Sequence, residues 1–425
     1  MSIRAGKSSR PIGAFAATLA CGVALLTACD FGGGPAGPTP TAVSGVTGTG
    51  TGTVPSGPTN TPLPPTATPL PSATPVAAPT ARRTGNTTPG LTWQLVGLTG
   101  QELFAVGGSG KAGSPVYAGG TGLYRSDDDG ATWTQLSLGN STTVEEIHAS
   151  ASKPQTLFAG SGANCYGGPP GGQFRSDDGG LNWTPLKEAP ASIQIDSQNP
   201  ERLTAMSCEG VVRSTDGGQT WTPLTDAVQA RLKNFVGDEV RVPASNGSMI
   251  YAVYVSEGGT SRIRVSTDDG KTWAGPDTDY AGVSDILVDD QKPSRAWALS
   301  QNGVLLTTDS GQTWTPDVTG LDAAHNTAAG SQGAYQLSGL AAQYSNAGAL
   351  VELYTGSFGT ESQPAAGVFS SKDFGTVWTR FGGDLSGAAI HQLFVTREQG
   401  TSGEQVVLYA ATDDGLHKIA LGSAR

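Results

Sequence analysis

Acidic residues are the side chains in this sequence whose types and placement could support catalysis. Two carboxyl groups about 5–9.5 Å apart across a cleft are the usual apparatus for hydrolysing a glycosidic bond. The candidates lie in or beside short apolar segments, and they are Glu145, Glu146, Asp196, Asp285 and Asp289. Their spacing in the sequence does not single out two of them as a catalytic pair. The sequence therefore keeps a carbohydrate-active enzyme open as an alternative, and it assigns no catalytic residue.

The four histidines do not form a metal-binding pattern. They are His148, His325, His391 and His417, and their spacing does not match that of zinc ligands. The acidic clusters also lack the twelve-residue spacing of a calcium loop. His148 and His391 each follow an isoleucine at matching places in a repeat, which explains their similarity without a ligand. We predict no metal and no other cofactor.

An eight-residue pattern, Ser/Thr-x-Asp-x-Gly-x-x-Trp, organises the chain. It occurs six times at intervals of roughly 40–65 residues, a range typical of propeller or solenoid repeats. Its Asp, Gly and Trp positions are Asp128, Gly130, Trp133; Asp178, Gly180, Trp183; Asp216, Gly218, Trp221; Asp268, Gly270, Trp273; Asp309, Gly311, Trp314; and Asp373, Gly375, Trp378.

The residue types in the pattern are those of a tight turn followed by a buried anchor. Glycine permits a backbone conformation that other residues rarely adopt. The Asp and the Ser or Thr can accept hydrogen bonds from amides of the turn. The Trp supplies a large apolar surface for packing. The pattern therefore predicts a structural turn and not a catalytic site.

Short apolar segments separated by turn residues precede each copy. In the third unit these segments read SIQID, LTAMS and GVVRS, and in the fifth they read DILVDD, AWALS and GVLLTTD. Pro154, Pro200 and Pro293 fall at equivalent places in the first turn of their units. This is an all-β pattern. Each unit is predicted to form four antiparallel strands, with the motif between strands three and four.

The six motifs resemble Asp-box, or BNR, repeats, and the resemblance covers residues 91 to about 421. Similar repeats form β-propellers in sialidases, sortilin-type receptors, some glucan hydrolases and photosystem II stability/assembly factors. The resemblance implies a propeller domain over residues 91–421. It also implies a structural role for the six boxes at the periphery of the blades.

The ends of the chain predict how the ring closes. The segments VVLYAAT and GLHKI near the C-terminus look like strands two and three of a further unit. Residues 90–96, GLTWQLV, look like the missing fourth strand, because Gly90 and Trp93 keep the Gly-x-x-Trp spacing. We predict an all-β, seven-bladed β-propeller of four-stranded antiparallel blades, closed by the N-terminal strand, which leaves no free edge at the closure.

The arginines do not support a sialidase site. The resemblance implies that such a site would use an arginine triad, yet Arg125, Arg175 and Arg213 occupy one equivalent position just before the box in successive units. Residues 91–425 also lack the Phe/Tyr-Arg-Ile-Pro motif of that family. We expect these arginines to serve the repeat and not to converge on a substrate.

The N-terminus has the pattern of a bacterial lipoprotein signal. Positively charged residues precede an apolar stretch in residues 1–28, and Leu26-Thr27-Ala28-Cys29 resembles a lipobox. The resemblance implies lipidation of Cys29 and anchoring to the cell membrane on its extracytoplasmic side. An ordinary secretory signal with a chance cysteine is the alternative. Residues 29–90 are rich in Gly, Pro and Thr, which predicts a disordered linker.

Two further features suggest how the extracytoplasmic part is built. Cys165 and Cys208 follow the second predicted strands of adjacent blades, so we expect a disulfide, with two unpaired thiols as the alternative. Longer loops are predicted on the face opposite the boxes, where insertions often mark a binding surface; neutral variation of surface loops is the alternative. These loops are 162–172, 225–239, 317–334 and 357–367.

The negative net charge of the chain disfavours nucleic acid as a partner. The net charge is −11, and removing residues 1–28, with three positive and no negative residues, makes it −14. An acidic protein is a poor ligand for nucleic acid. We predict a monomeric, non-catalytic binding or assembly module for an envelope protein or polysaccharide, with a glycoside hydrolase using central-channel carboxylates as the alternative.

Overall fold

The structure is a computed structural model, and the chain divides into two units, residues 1–72 and 73–425. All described residues belong to the second unit. They are 76–77, 91–139, 143–161, 172–187, 191–207, 210–224, 239–241, 248–255, 260–317, 319, 321, 336–359, 365–382, 385–401 and 403–423.

The described residues form seven antiparallel sheets, each with a core of four strands. Strands are numbered by position along the chain, and blades are numbered in order from residue 103. The first strands of blades 1 to 7 are β3 (Leu103–Gly108), β7 (Glu146–Ala149), β11 (Ala191–Ile195), β15 (Glu239–Arg241), β19 (Asp285–Val288), β23 (Gln336–Tyr344) and β27 (Ile390–Gly400).

The second and third strands complete the middle of each blade. The second strands are β4 (Val116–Gly120), β8 (Leu157–Gly160), β12 (Leu203–Ser207), β16 (Ile250–Val255), β20 (Ala296–Ser300), β24 (Leu350–Phe358) and β28 (Gly403–Thr412). The third strands are β5 (Leu123–Ser126), β9 (Gln173–Ser176), β13 (Gly210–Ser214), β17 (Thr260–Ser266), β21 (Gly303–Thr307), β25 (Val368–Ser371) and β29 (Gly415–Ser423).

The fourth, outer strands are short. They are β6 (Thr132–Leu136), β10 (Thr184–Pro185), β14 (Thr222–Pro223), β18 (Tyr280–Ala281), β22 (Thr315–Asp317), β26 (Thr379–Phe381) and, in blade 7, β2 (Gln94–Leu95). A further two-residue strand, β1 (Val76–Ala77), lies on β6, within the segment for which the sequence predicts disorder. The described ranges contain no α-helix, and hence no helix long and apolar enough to cross a membrane.

The N-terminal strand closes the ring, as the sequence predicts. In blade 7, β2 pairs with β29 through Gln94↔Lys418 and Leu95↔His417. On the inner side, β27 of blade 7 contacts β3 of blade 1, so the last blade meets the first. The prediction of seven four-stranded blades is therefore confirmed.

Burial follows the position of a strand in its blade. The second strands β4, β8 and β20 are buried at every residue, because blades pack against both of their faces. This explains their nearly continuous apolar sequences. The outer strands β10 and β14 are exposed at both residues.

The core is divided into one apolar cluster for each of the seven junctions between adjacent blades. Each cluster contains a single tryptophan of the repeat, which packs between its own blade and the preceding one. From the junction of blades 7 and 1 onward these are Trp133, Trp183, Trp221, Trp273, Trp314, Trp378 and Trp93.

Candidate functional site

The six boxes are turns closed by their own side chains, and the third box is representative. Ser214 Oγ donates a hydrogen bond to Asp216 Oδ1 at 2.8 Å, and the Gly218 amide donates to Ser214 Oγ at 2.8 Å. The Thr220 amide and hydroxyl donate to the two oxygens of Asp216 at 2.9 and 2.6 Å. Both carboxylate oxygens of the box aspartate therefore accept hydrogen bonds from residues of the same turn.

These hydrogen bonds favour the charged carboxylate. The Thr220 hydroxyl and amide lower the pKa of Asp216 to about 2, and the Thr272 hydroxyl and amide do the same for Asp268. A proton donor at neutral pH needs a raised pKa. The box aspartates are therefore poor candidates for general acids.

The fourth residue of the box contacts the preceding blade in five of the six boxes. This residue is left-handed in all six boxes, with φ between 56° and 74°, and in four of them its carbonyl oxygen accepts a hydrogen bond from the preceding blade. Arg125 and Tyr117 of blade 1 donate to the carbonyl of Gly179 at 2.6 and 3.0 Å. Trp297 donates to that of Phe374 at 2.7 Å.

The same contact recurs with other donors. Arg175 donates to the carbonyl of Gly217 at 3.1 Å, and Lys418 donates to that of Asp129 at 2.7 Å, across the junction that closes the ring. Arg213 reaches the side chain of Asp269 at 2.5 Å in the next box. Arg125, Arg175 and Arg213 therefore serve three successive junctions and do not converge on one site.

Two of the candidate catalytic acids cap backbone amides of a neighbouring inner strand. Glu146 in β7 accepts the amide of Ser192 in β11 at 2.9 and 3.1 Å, and Asp285 in β19 accepts the amide of Leu340 in β23 at 3.1 Å. Both amides lie where β11 and β23 have a bulge. A bulge removes an amide from the ladder of its own sheet, so a carboxylate from the adjacent blade satisfies it.

Blade 7 uses an uncharged residue for the same purpose. Gln392 accepts the amide of Val106 in blade 1 at 2.9 Å. Glu146, Asp285 and Gln392 occupy equivalent registers against Gly160, Leu299 and Ala411 of their second strands. Because a neutral amide substitutes for the carboxylate, this position serves hydrogen bonding between blades and has no need of charge.

Asp196 and Asp289 have a different role, in the turn between strands one and two. Asp196 accepts the amide of Gln198 at 2.9 Å and forms an ion pair with Arg202. Asp289 accepts the amide of Gln291 at 2.9 Å and pairs with Arg295. The prolines that follow, Pro200 and Pro293, sit second in a four-residue turn closed by a backbone hydrogen bond, a place where proline is favoured.

The three histidines that the structure describes have separate contacts. His148 Nε2 lies 3.8 Å from Glu146 Oε2, and His417 Nε2 lies 3.0 Å from Asp414 Oδ1. His391 packs edge-on against Phe104 and Phe358, with ring centroids 5.3 and 5.1 Å away. Burial there lowers the pKa of His391 to about 4, so it is neutral at physiological pH.

Several predicted features fall outside the described residues. They include Cys29, Cys165, Cys208 and His325, together with most of the four long loops. Among the residues that the structure does describe, no cluster of three or more His, Cys, Asp or Glu could hold a metal ion.

The side of the ring that carries the boxes has features that the sequence analysis missed. Strands β27 and β28 have 11 and 10 residues, and β23 and β24 have nine each, against three to six in the first and second strands of the other blades. Their hairpins extend on the box side. Three large apolar side chains of blade 6, Val351, Phe374 and Val377, are exposed.

A groove of about 390 Å³ lies between blades 2 and 3 on the same side. Arg175, Asp177, Leu186, Glu201 and Gln219 contribute to its wall. Arg175 is held by Asp177 at 2.9 Å and by Glu201 at 2.7 Å. Arg175, Asp177 and Glu201 therefore form an ion-pair cluster at this groove.

Seven four-stranded blades and six boxes define an Asp-box β-propeller. Residues 212–223, which span the third box, match the BNR/Asp-box repeat family. Comparison with curated proteins finds no match.

Solved structures share the fold at low sequence identity. The GH74 xyloglucanase from Xanthomonas campestris matches with a TM-score of 0.54 and 15% identity, over 77% of this chain and 53% of that chain. YCF48 from Cyanidioschyzon merolae matches with a TM-score of 0.54 and 19% identity, over 77% and 98%. YCF48 bound to D1 peptide matches with a TM-score of 0.51 and 14% identity, over 82% and 100%. The chain thus spans about half the length of the xyloglucanase and nearly all of YCF48.

Proposed function

We propose that this protein is a non-catalytic binding or assembly module of the cell envelope, whose propeller recognises a segment of another protein. Lipidation at Cys29 would tether it to the cell membrane on the extracytoplasmic side, with residues 30–90 as the linker. It would act as a monomer without a cofactor, and its net charge disfavours nucleic acid as a partner.

This proposal rests on one observation: most of the candidate catalytic acids make structural contacts. Glu146 and Asp285 cap amides of neighbouring blades, while Asp196 and Asp289 cap turns and pair with arginines. A glycoside hydrolase needs one acid that stays protonated and a second carboxylate across a cleft. Four of the five candidates hold the fold together instead.

The comparisons supply a second line of support. A propeller of similar length, YCF48, has been solved with a D1 peptide bound to it. The GH74 xyloglucanase is about twice as long as the part that this chain matches. Identities of this size show the fold alone, so peptide binding is carried to this protein as a proposal.

Affinity capture tests the proposal. The full chain, immobilised, is exposed to protein and polysaccharide fractions of the cell envelope separately. We expect saturable retention of a protein. The control is an equal amount of chain unfolded in urea and exchanged back into buffer without refolding, which should retain nothing specific.

The enzymatic alternative has a direct assay. Sugar release is measured with envelope polysaccharide and with xyloglucan, the substrate named for the GH74 neighbour. We expect no release above the rate without protein. Retention of polysaccharide with release of sugars, and no bound protein, would reject the binding proposal in favour of a hydrolase.

A further inference from the structure

The outer strand of blade 1 differs from the other outer strands in length. Strand β6 has five residues, whereas β2, β10, β14, β18, β22 and β26 have two or three. An outer strand leaves a row of backbone amides and carbonyls unpaired on its free edge, and such an edge can accept another strand. Blade 1 therefore offers the longest acceptor edge among the described residues.

Three other blades carry a proline where it blocks this kind of pairing. Pro185, Pro223 and Pro316 lie at one equivalent register, opposite Phe174, Val212 and Leu305 of their third strands. The next residues in blades 2 and 3, Leu186 and Leu224, donate their amides inward at 2.8 and 2.9 Å.

Because amides alternate in direction along a strand, the residue before each inward donor faces the free edge. Proline at that place removes the outward hydrogen-bond donor. In blade 1 the same register, opposite Tyr124, is occupied by Gln135. By the same alternation Trp133 and Gln135 both present their amides to the outside.

A short segment of the linker lies on this edge in the structure. Strand β1 pairs antiparallel with β6 through Val76↔Trp133 and Ala77↔Thr132. In the sequence this segment reads Pro75-Val76-Ala77-Ala78-Pro79. The described pairing covers Trp133 and Thr132 and does not include Gln135. Pro75 and Pro79 flank the two paired residues in the sequence, and proline has no amide hydrogen to donate to a ladder.

We propose that the free edge of β6 is a strand-addition site for an extended, proline-free segment of a partner protein, and that β1 is its weak intramolecular occupant. The inference rests on the proposed protein-binding function and names the surface that performs it. A partner strand covering Thr132–Leu136 would pair with both Trp133 and Gln135. Main-chain hydrogen bonds would supply the affinity, as in other cases of strand addition.

A partner strand would have to displace the linker strand β1 from β6 before it could bind there. A tethered segment competes at an effective concentration in the millimolar range. A partner must therefore form more backbone pairs than the two of β1 in order to displace it. Until a longer strand binds, β1 would cover the Trp133 part of an edge that can otherwise pair with another chain.

The first test is hydrogen exchange in the full chain. Val76→Pro removes the amide opposite Trp133, and Thr66→Pro adds a proline elsewhere in the linker as a matched control. We expect exchange of the Trp133 amide to become at least threefold faster in Val76→Pro and to stay unchanged in Thr66→Pro. Equal exchange in all three proteins would overturn the assignment of β1 as the occupant.

The second test is binding of a probe strand, the peptide Thr-Val-Thr-Val-Thr-Val-Thr with blocked ends. We expect the peptide to bind Val76→Pro severalfold more tightly than the wild-type chain, and Gln135→Pro at least tenfold more weakly than Val76→Pro. Gln135→Pro should fold normally, because blades 2, 3 and 5 carry proline at this register, and an unchanged unfolding midpoint verifies this. Equal peptide affinity for all three proteins would overturn the strand-addition site.

The two proposals fail in distinguishable ways. An envelope protein captured as tightly by Gln135→Pro as by the wild-type chain would reject the edge of β6 as its site and leave the binding function standing. Absence of any captured protein would count against the binding function, while the peptide measurement would still decide whether the edge accepts a strand.

Discussion

The repeated tryptophans share a position in the sequence but differ in their surroundings. Trp133 and Trp378 are each 1% exposed, whereas Trp221 is only partly buried at the junction of blades 2 and 3. Trp378 also donates its indole N–H to the Gly375 carbonyl at 2.8 Å. The cluster around Trp221 is the smaller one, with five buried members against nine besides Trp378 itself.

Substitution of these two tryptophans by alanine should destabilise the protein to different extents. We predict that Trp378→Ala lowers the free energy of unfolding by about 3–5 kcal/mol, the range for a buried tryptophan. Trp221→Ala should cost clearly less, because water already reaches part of its ring. Urea unfolding measures both values. Equal losses would contradict the difference in packing, and no loss in either would contradict the anchoring role of the repeat tryptophan.

The box aspartates should make stability dependent on acid pH. The folded pKa of Asp216 is about 2, below the unfolded value of 3.8. A depressed pKa stabilises the fold above the unfolded value, and that stabilisation is lost as the pH falls from about 4 to 2. We predict that Thr220→Val, which removes the hydroxyl donor, moves the Asp216 titration back towards 3.8. Carboxyl NMR measures this, and an unmoved midpoint would contradict the assigned cause.

What the sequence could predict at this scale is limited to residues close together along the chain. The Ser, Asp and Gly of a box interact over two to four positions, so their roles follow from the pattern. The caps do not. Glu146 reaches Ser192 across 46 positions, and Gln392 reaches Val106 across 286. No local pattern marks a carboxylate as the partner of a bulge in another blade.

Among the elements, the closing strand illustrates what the repeat can and cannot predict. The Gly-x-x-Trp spacing identifies residues 90–96 as the missing outer strand, and β2 confirms this. Only the structure shows which backbone amides of this strand point towards β29 and which point to the outside. Val96 donates inward to Leu416 at 2.8 Å, so by alternation Gln94 also donates inward and Leu95 faces outward.

This alternation predicts opposite outcomes for two neighbouring proline substitutions. Gln94→Pro should lower the free energy of unfolding by about 1–3 kcal/mol, because it leaves a carbonyl of β29 without its partner. Leu95→Pro, at the register of Pro185 and Pro223, should have a much smaller effect. Thermal and urea unfolding measure both variants. A larger loss for Leu95→Pro would contradict the register of the closing strand.

The long hairpins show where the sequence analysis fell short for an element. The repeat predicts four strands in each unit but not their lengths, and β27 and β28 run through ten matched pairs from Ile390↔Thr412 to Gly400↔Gly403. The repeat provides only the part that packs against neighbouring blades. Extra length depends on pairing within the hairpin itself, which an alignment of repeats does not reveal.

At the scale of the whole molecule, one charged group joins the last blade to the first. Lys418 of β29 lies 3.0 Å from Glu398, which is 2% exposed, and it also donates to the carbonyl of Asp129 in blade 1. The Tyr409 hydroxyl lies within hydrogen-bond distance of the same Glu398 carboxylate and of the Asp129 carbonyl. This junction is the one that a linear chain must form in order to become a ring.

Breaking this ion pair should weaken the closed ring. We predict that Lys418→Met costs about 3–5 kcal/mol, because it leaves a buried carboxylate without its cation. Arg397→Met is the matched control, since its partner Glu404 is 40% exposed and such pairs contribute about 0–1 kcal/mol. Glu398→Gln combined with Lys418→Met should recover part of the loss. Equal effects of Lys418→Met and Arg397→Met would contradict the role of the buried pair.

The seven blades, their order and their closure could thus be predicted from the repeat, because every unit repeats the same local chemistry. The interactions between blades could not, since they join residues that no periodic pattern relates. Glu146 and Asp285 illustrate this difference, because in the sequence they look available for catalysis and in the structure they accept amides of a neighbouring blade.

The most direct test of the account uses the double variant Glu146→Gln, Asp285→Asn. Both substitutions keep an oxygen that can accept the amides of Ser192 and Leu340, and both remove the acid. Protein capture and sugar release from envelope polysaccharide are measured for the wild-type chain and the variant side by side. The account predicts that both proteins retain the same partner and that neither releases sugar. Sugar release by the wild-type chain that disappears in a folded double variant would contradict it.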